Sequence, residues 1–213
     1  MTVFYLIRHG CKVPDTPGDV GLTELGRRQA EATARHLARV RPAAIYASPA
    51  RRTQETAEAF AAVYELPVKT APALRERAEW DDPELSWEEF MAMFERASMQ
   101  RSWQPPIGDS SRGAGDRMGR FLRELTQRHP GRKVIIISHG AIIVDFLLNV
   151  ASRKILRAVN PDFADNPYGD DIMRESSVTV VHYDGVNFLP ETIVAVDHLA
   201  DLETEDVAEA PEG

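Results

Sequence analysis

The 213-residue chain has one cysteine, Cys11, so no intramolecular disulfide can form. Such sparse cysteine usage agrees with a reducing compartment, and the expected location is cytoplasmic. No apolar run approaches the roughly 18 residues that cross a bilayer, and the opening apolar stretch is too short for a signal peptide, so no membrane partner is expected. A basic surplus is missing too. The formal net charge is −8, and six negative charges (Asp201, Glu203, Glu205, Asp206, Glu209 and Glu212) sit in a final stretch without Lys or Arg; the rest of the chain carries −2. A nucleic-acid groove requires the opposite sign, so no nucleic-acid partner is expected.

Several catalytic signatures are also absent. There is no Walker loop, no His-Glu-x-x-His, no cysteine pair and no Gly-x-Ser-x-Gly turn. Cys11 lacks the arginine six residues on that a cysteine-based phosphatase loop requires. Gly113-Ala114-Gly115 with Gly119 has the wrong spacing for a dinucleotide loop, and the acidic stretch from 162 to 171 lacks calcium-loop spacing. Neither a metal nor a cofactor is expected.

What the chain does contain is a pair of histidines at the ends of two apolar strands. Residues 3 to 7 run into Arg8-His9-Gly10, and residues 134 to 137 run into Ser138-His139-Gly140. Open α/β sheets bind ligands outside the carboxyl ends of their strands, so the two imidazoles can meet at one sheet edge.

Between them, Thr23 is a good N-cap for a helix with Ala30, Ala34 and Leu37 on one face, ending near Pro42. Residues 43 to 47 read as a second strand, and Ser48-Pro49 as the N-cap and first residue of a helix carrying Ala57, Phe60, Ala61 and Tyr64. Residues 65 to 85 read as connections with at most a short strand. Phe90, Met93, Phe94 and Ala97 mark a further helix, 108 to 115 a loop, and Met118, Phe121, Leu122 and Leu125 another helix, followed by one at 141 to 150. The stretch from 160 to 171 reads as a loop, and residues 177 to 183 and 188 to 194 as strands joined through Asp184-Gly185.

This order predicts a three-layer α/β/α sandwich with a mostly parallel sheet, an antiparallel edge and a small helical cap insertion. A single domain is expected over 1–198, with the cap at about 77–112 and an acidic, flexible tail at 199–213.

Five ordered motifs carry a resemblance: Arg8-His9-Gly10, Leu22-Thr23-Glu24-Leu25-Gly26, the run from Ser48 to Ala57 (SPARRTQETA), Leu74-Arg75-Glu76, and Ser138-His139-Gly140. Together they resemble the histidine phosphatase superfamily, its phosphoglycerate-mutase-like branch 1, over most of residues 3 to 150. The resemblance implies a metal-independent phosphomonoesterase in which His9 is transiently phosphorylated. Arg8, Arg52, His139 and Gly140 would hold the phosphoryl group. Glu76 would protonate the leaving oxygen and then, ionised, activate water. A phosphoryl group needs such donors and cations around its three equatorial oxygens.

Arg51 competes with Arg52 for the clamp position, and Glu79, Asp81 and Asp82 compete with Glu76. Many members carry an Asn soon after the first tripeptide, whereas here Cys11, Lys12, Val13 and Pro14 follow. Lys12 can replace part of that contact as a point charge or stand exposed, and Cys11 is either an oxidisable thiol at the pocket rim or a small buried hydrophobe. Thr23 and Trp80 are further pocket candidates. The expected ligand is a small phosphorylated metabolite, and the oligomeric state, a homodimer included, stays open. Two other readings remain: a mutase that returns the phosphoryl group to a bound sugar acid, and a catalytically silent phosphate-binding regulatory module.

Overall fold

Every residue of the strand Lys133–Ser138 except the first is buried, which is what a strand covered on both faces requires. It forms β4 of a six-stranded sheet in a computed structural model that describes residues 1–202 apart from 15, 83, 170 and 171. The other strands are β1 (Thr2–Arg8), β2 (Ala44–Ala47), β3 (Val68–Thr70), β5 (Val178–Tyr183) and β6 (Phe188–Ala195), in the spatial order β3-β2-β4-β1-β5-β6. β1, β2, β3 and β4 are mutually parallel, while β5 and β6 form the antiparallel edge. The mixed α/β architecture is therefore the expected one. The acidic tail lies outside the described residues from 203 onward.

Seven α-helices are formed among the described residues: α1 (Glu24–His36), α2 (Arg51–Tyr64), α3 (Trp87–Met99), α4 (Ser111–Arg128), α5 (Gly140–Val150), α6 (Arg153–Val159) and α7 (Pro161–Asp165). Strand alternation sorts the core into two layers. Phe4, Leu6, Tyr46, Val134, Ile136 and Val181 face the cluster containing Met118, Leu122 and Phe146 of α4 and α5. Ile7, Ile45, Ala47, Ile135 and Ile137 face the cluster containing Ala34, Ala57 and Phe60 of α1 and α2. Two layers of that depth fix the register, because a one-residue slip would exchange the two faces of every strand.

Four boundaries differ from the sequence reading. α1 ends at His36, short of Pro42. α2 starts at Arg51 with Ala50 as its N-cap and no side-chain cap, so Ser48 and Pro49 precede the helix. The expected loop at 108 to 115 is already helical from Ser111, because the Ser110 hydroxyl accepts from the Gly113 amide. Gly115 lies inside α4 where a Cβ would come within 2.4 Å of the Asp145 carbonyl oxygen; its lack of a side chain lets α4 lie against α5. The expected loop beyond 160 holds α7, with Asn160 accepting from the Phe163 amide and Pro161 in the first turn.

The turn after β1 is pinned by backbone on backbone. A Cβ on Gly10 would lie 2.3 Å from the Gly26 carbonyl oxygen, and one on Gly26 would lie 2.0 Å from that of Cys11. Gly26→Ala is expected to destabilise the fold by about 1–3 kcal/mol through overpacking, against the usual helix-propensity gain of such a change. Urea unfolding measures it.

Candidate active site

Register alone brings the two histidines together. Ile7 pairs with Ile137 and Arg8 with Ser138 across the parallel β1/β4 ladder, and the His9 amide then donates to the Ser138 carbonyl at 3.0 Å. His9 and His139, one residue beyond those pairs, place their ring centroids 5.3 Å apart at 70°. β2 runs on the other side of β4, and the Ser48 amide donates to the Ile137 carbonyl at 3.1 Å, bringing the start of α2 to the same edge.

Hydrogen bonding sets the ring tautomers. His9 Nδ1–H donates to its neighbouring Gly10 carbonyl at 2.8 Å, which leaves Nε2 as the lone-pair nitrogen; this is the orienting bond that sequence alone does not reveal. Arg52 Nε donates to that Nε2 at 3.2 Å, and Arg52 Nη2 donates to His139 Nδ1 at 3.0 Å. His139 Nε2–H then donates to the Ser48 hydroxyl at 2.8 Å. One guanidinium therefore spans both imidazoles. Ser48, read from sequence as a helix cap, instead orients His139. Gly10 is held in turn by its amide donating to Thr56 Oγ1 at 3.1 Å, from the second turn of α2.

Both imidazoles are buried, and burial pushes both pKa values well below 6.5; the Arg52 and Arg8 guanidiniums push them further in the same direction. Neutral imidazole is what a nitrogen nucleophile requires.

Arg51 points elsewhere: its Nε donates to Glu55 at 2.7 Å, an exposed pair on the helix surface, so Arg52 is the arginine facing the histidines. Arg8 lies close enough to lower both imidazole pKa values, and its stem passes 3.4 Å from the position of a Gly140 Cβ. Its Nη atoms donate to the Met173 carbonyl and to Glu175, whereas its Nε is buried without a hydrogen-bond partner. A buried donor left unpaired in this way can take an oxygen acceptor.

The acidic stretch divides its residues between tasks. Both Glu76 carboxylate oxygens accept from the first turn of α5, Oε2 from the Ala141 amide at 3.1 Å and Oε1 from the Ile142 amide at 2.9 Å, immediately after His139 and Gly140. Both Glu79 oxygens accept from Arg52 Nη2 at 2.8 Å, and burial pushes the Glu79 carboxyl up while Arg52 opposes that shift. Asp81 lines a pocket with Asp19, Ser48, Pro49, Ala50, Arg75 and Glu79, which meets the site through Ser48, the partner of His139, and Glu79, the partner of Arg52. Asp82 is exposed and accepts from the Glu84 amide.

Two expected pocket residues have other partners. The Thr23 hydroxyl caps α1 through the Gly26 amide at 3.0 Å and donates to the Cys11 carbonyl, so it builds the turn below the site. Trp80 donates through Nε1 to the Leu85 carbonyl and packs its ring 5.1 Å from that of Trp87. Lys12 forms a bridge with Leu22 and adds to the lowering of the His9 pKa. Cys11 is half-buried, its amide held by Gln29 Oε1 at 2.8 Å.

Sequence reasoning missed Arg117 of α4, whose guanidinium donates to the carbonyls of Ala73, Arg75 and Glu76 and fixes the strand-to-cap connection. It also pairs with the Asp109 carboxylate at 2.7 Å, eight residues back, but the carbonyls it grips lie 41 to 44 residues away, and no local pattern marks those. Among the described residues, no group of three or more His, Cys, Asp or Glu is arranged to hold a metal ion.

Comparison with known proteins places the chain in a family. The family model of the histidine phosphatase superfamily (branch 1) matches residues 4–166. A protein of Arabidopsis thaliana named metal-independent phosphoserine phosphatase is 27% identical over 95% of this chain and 85% of its own length. Phosphoglycerate mutase-like protein 4 of the same plant is 30% identical over 67% of this chain and 66% of its own. Among solved structures, Bacillus stearothermophilus YhfR superposes with a TM-score of 0.71 at 27% identity, over 93% of this chain and all of that one.

Folded imidazoles with depressed pKa values bind fewer protons than the same rings in the unfolded chain, which titrate near pH 6.5. Stability contributed by these rings is therefore present above about pH 6.5 and lost as the pH falls toward their folded values. Nitrogen-15 NMR titration is expected to find both rings neutral at pH 6.5, and Arg52→Leu is expected to raise both midpoints.

Proposed function

The chain belongs to the histidine phosphatase superfamily, branch 1, and from that premise we propose that it is a metal-independent phosphomonoesterase working through a phosphohistidine on His9. One observation carries the reading: the unprotonated Nε2 of buried His9 faces the Arg52 guanidinium, which also contacts buried His139, while Arg8 keeps an unpartnered Nε.

His9 Nε2 attacks phosphorus while the ester P–O bond breaks. Arg8, Arg52, His139 and the Gly140 end of α5 surround the equatorial oxygens, where developing charge is stabilised by donors already in place. The Glu76 carboxyl gives its proton to the departing oxygen, releasing the alcohol. Water then attacks the phosphohistidine and passes a proton to the Glu76 carboxylate. The P–N bond breaks, its electron pair returns to Nε2, and inorganic phosphate leaves. The α5 amides hold the Glu76 carboxyl in place directly after His139 and Gly140. Glu79, bound through both oxygens to Arg52, orients the guanidinium.

The substrate is a small phosphorylated metabolite. A pocket of about 230 Å³ lined by Asp19, Arg75, Glu79 and Asp81 suits a compact ester, and the Arabidopsis relative named for phosphoserine supports this class. The connection and α3, over about 77–112, serve as the cap over that pocket.

Incubation with p-nitrophenyl phosphate plus a chelator is expected to release phosphate, and His9→Ala to abolish release; turnover surviving in that variant removes His9 from the chemistry. Glu76→Gln is expected to cost about 10²–10⁴-fold with an alkyl phosphate. The loss is expected to be much smaller with the nitrophenyl ester, whose leaving group needs little protonation. That discrimination appearing in Glu79→Gln instead would transfer the acid role to Glu79.

A further inference from the structure

Directly after Glu76 stands Arg77, an arginine whose side chain is 0% exposed, facing Asp145 of α5, which is 0% exposed as well. The Arg77 Nη1 lies 3.3 and 3.4 Å from the two Asp145 oxygens. Its Nη2 donates to Ser98 Oγ at 2.6 Å and to the Phe94 carbonyl at 3.3 Å, both on α3. The guanidinium also lies 4.0 Å over the Phe94 ring, while its Nε has no hydrogen-bond partner. Asp145 Oδ1 accepts in addition from Ser111 Oγ of α4 at 2.5 Å and from Tyr168 Oη at 2.6 Å.

Stability is a poor explanation for this pair. Removing both charges from water costs several kcal/mol per ion, and well-packed apolar residues of similar volume serve a core equally well or better. Burial pushes the Asp145 carboxyl up to about 6, although Arg77, Ser111 and Tyr168 all pull it down, so desolvation outweighs its partners. What the pair supplies is geometry. A bidentate-capable guanidinium fixes one backbone position, between Glu76 and Glu79, relative to the helix whose first turn carries Gly140 and the two amides that hold Glu76.

We propose that Arg77, anchored by Asp145, is a positioning residue that aligns the Glu76 carboxyl with the leaving oxygen. The inference rests on the phosphomonoesterase reading above and concerns the proton-transfer step alone. Misplacing an acid by about 1 Å can cost around 10²-fold, yet an ester with a good leaving group does not feel the loss.

Arg77→Lys keeps the charge and removes the fork. It is expected to lower kcat for an alkyl phosphate such as glycerol 2-phosphate about 10–100-fold, with KM within about twofold and nitrophenyl phosphate turnover within about threefold. Inorganic phosphate inhibition should be unchanged. Combined with Glu76→Gln, Arg77→Lys should cost nothing further, since the group it aligns is gone. Equal losses on both esters, or full additivity with Glu76→Gln, overturn the proposal. Should Arg77→Lys fail to fold by circular dichroism, Ser98→Ala decides: a smaller loss, about 2–5-fold, confined to the alkyl ester supports the inference, and a uniform or absent loss refutes it. If Glu76→Gln itself shows no dependence on the leaving group, the acid assignment falls instead, which separates the two failures.

Discussion

The structure depends on the in-register parallel pairing of β1 with β4. Both strands are covered on both faces, so their register is fixed by the whole core and cannot slip without turning Ile7 and Ile137 out of one layer and Leu6 and Ile136 out of the other. Because Arg8 pairs with Ser138, the next residues are two histidines, and they leave the sheet side by side. The spacing of the two rings is thus held by the buried centre of the sheet. Loops complete the site, but they do not set that spacing.

Placing two imidazoles in that position has an electrostatic consequence. Burial alone disfavours a charged ring, and Arg52 and Arg8 make a second cation at the same point still less favourable. The imidazoles therefore stay neutral, one offering a lone pair at Nε2 and the other an N–H to Ser48. Arg52 can lie between them because neither carries a proton on the nitrogen facing it. Neutral rings and a shared guanidinium are two descriptions of one balance.

The acid stretch shows a different way of holding a residue in place. Glu76 and Glu79 stand in a connection with little regular structure, and their positions come from side chains on other elements. Arg117 grips the backbone from α4, the α5 amides take the Glu76 carboxylate, and Arg77 runs inward to Asp145. A connection fixed at so many points has less conformational freedom to lose when a substrate arrives.

Much of this was legible in the chain. Two strand-end histidines, the capping Thr23, the alternating hairpin at the edge and five ordered motifs were enough to give the mixed sheet and to single out His9, Arg52, Glu76 and His139. α7 was not, because the polar composition around Asn160-Pro161 reads as a loop. Ser48, Arg77, Arg117 and Asp145 were not. The sequence by itself determined the strands, their two-sided burial and the residue types at their ends, because apolar periodicity and turn chemistry are local properties. Only the tertiary structure decided which nitrogen of each ring is free, that Ser48 serves His139 rather than a helix, and that Arg77 meets Asp145 across 68 residues of chain. Those depend on desolvation and on hydrogen bonds between distant segments, and such contacts leave no periodic trace.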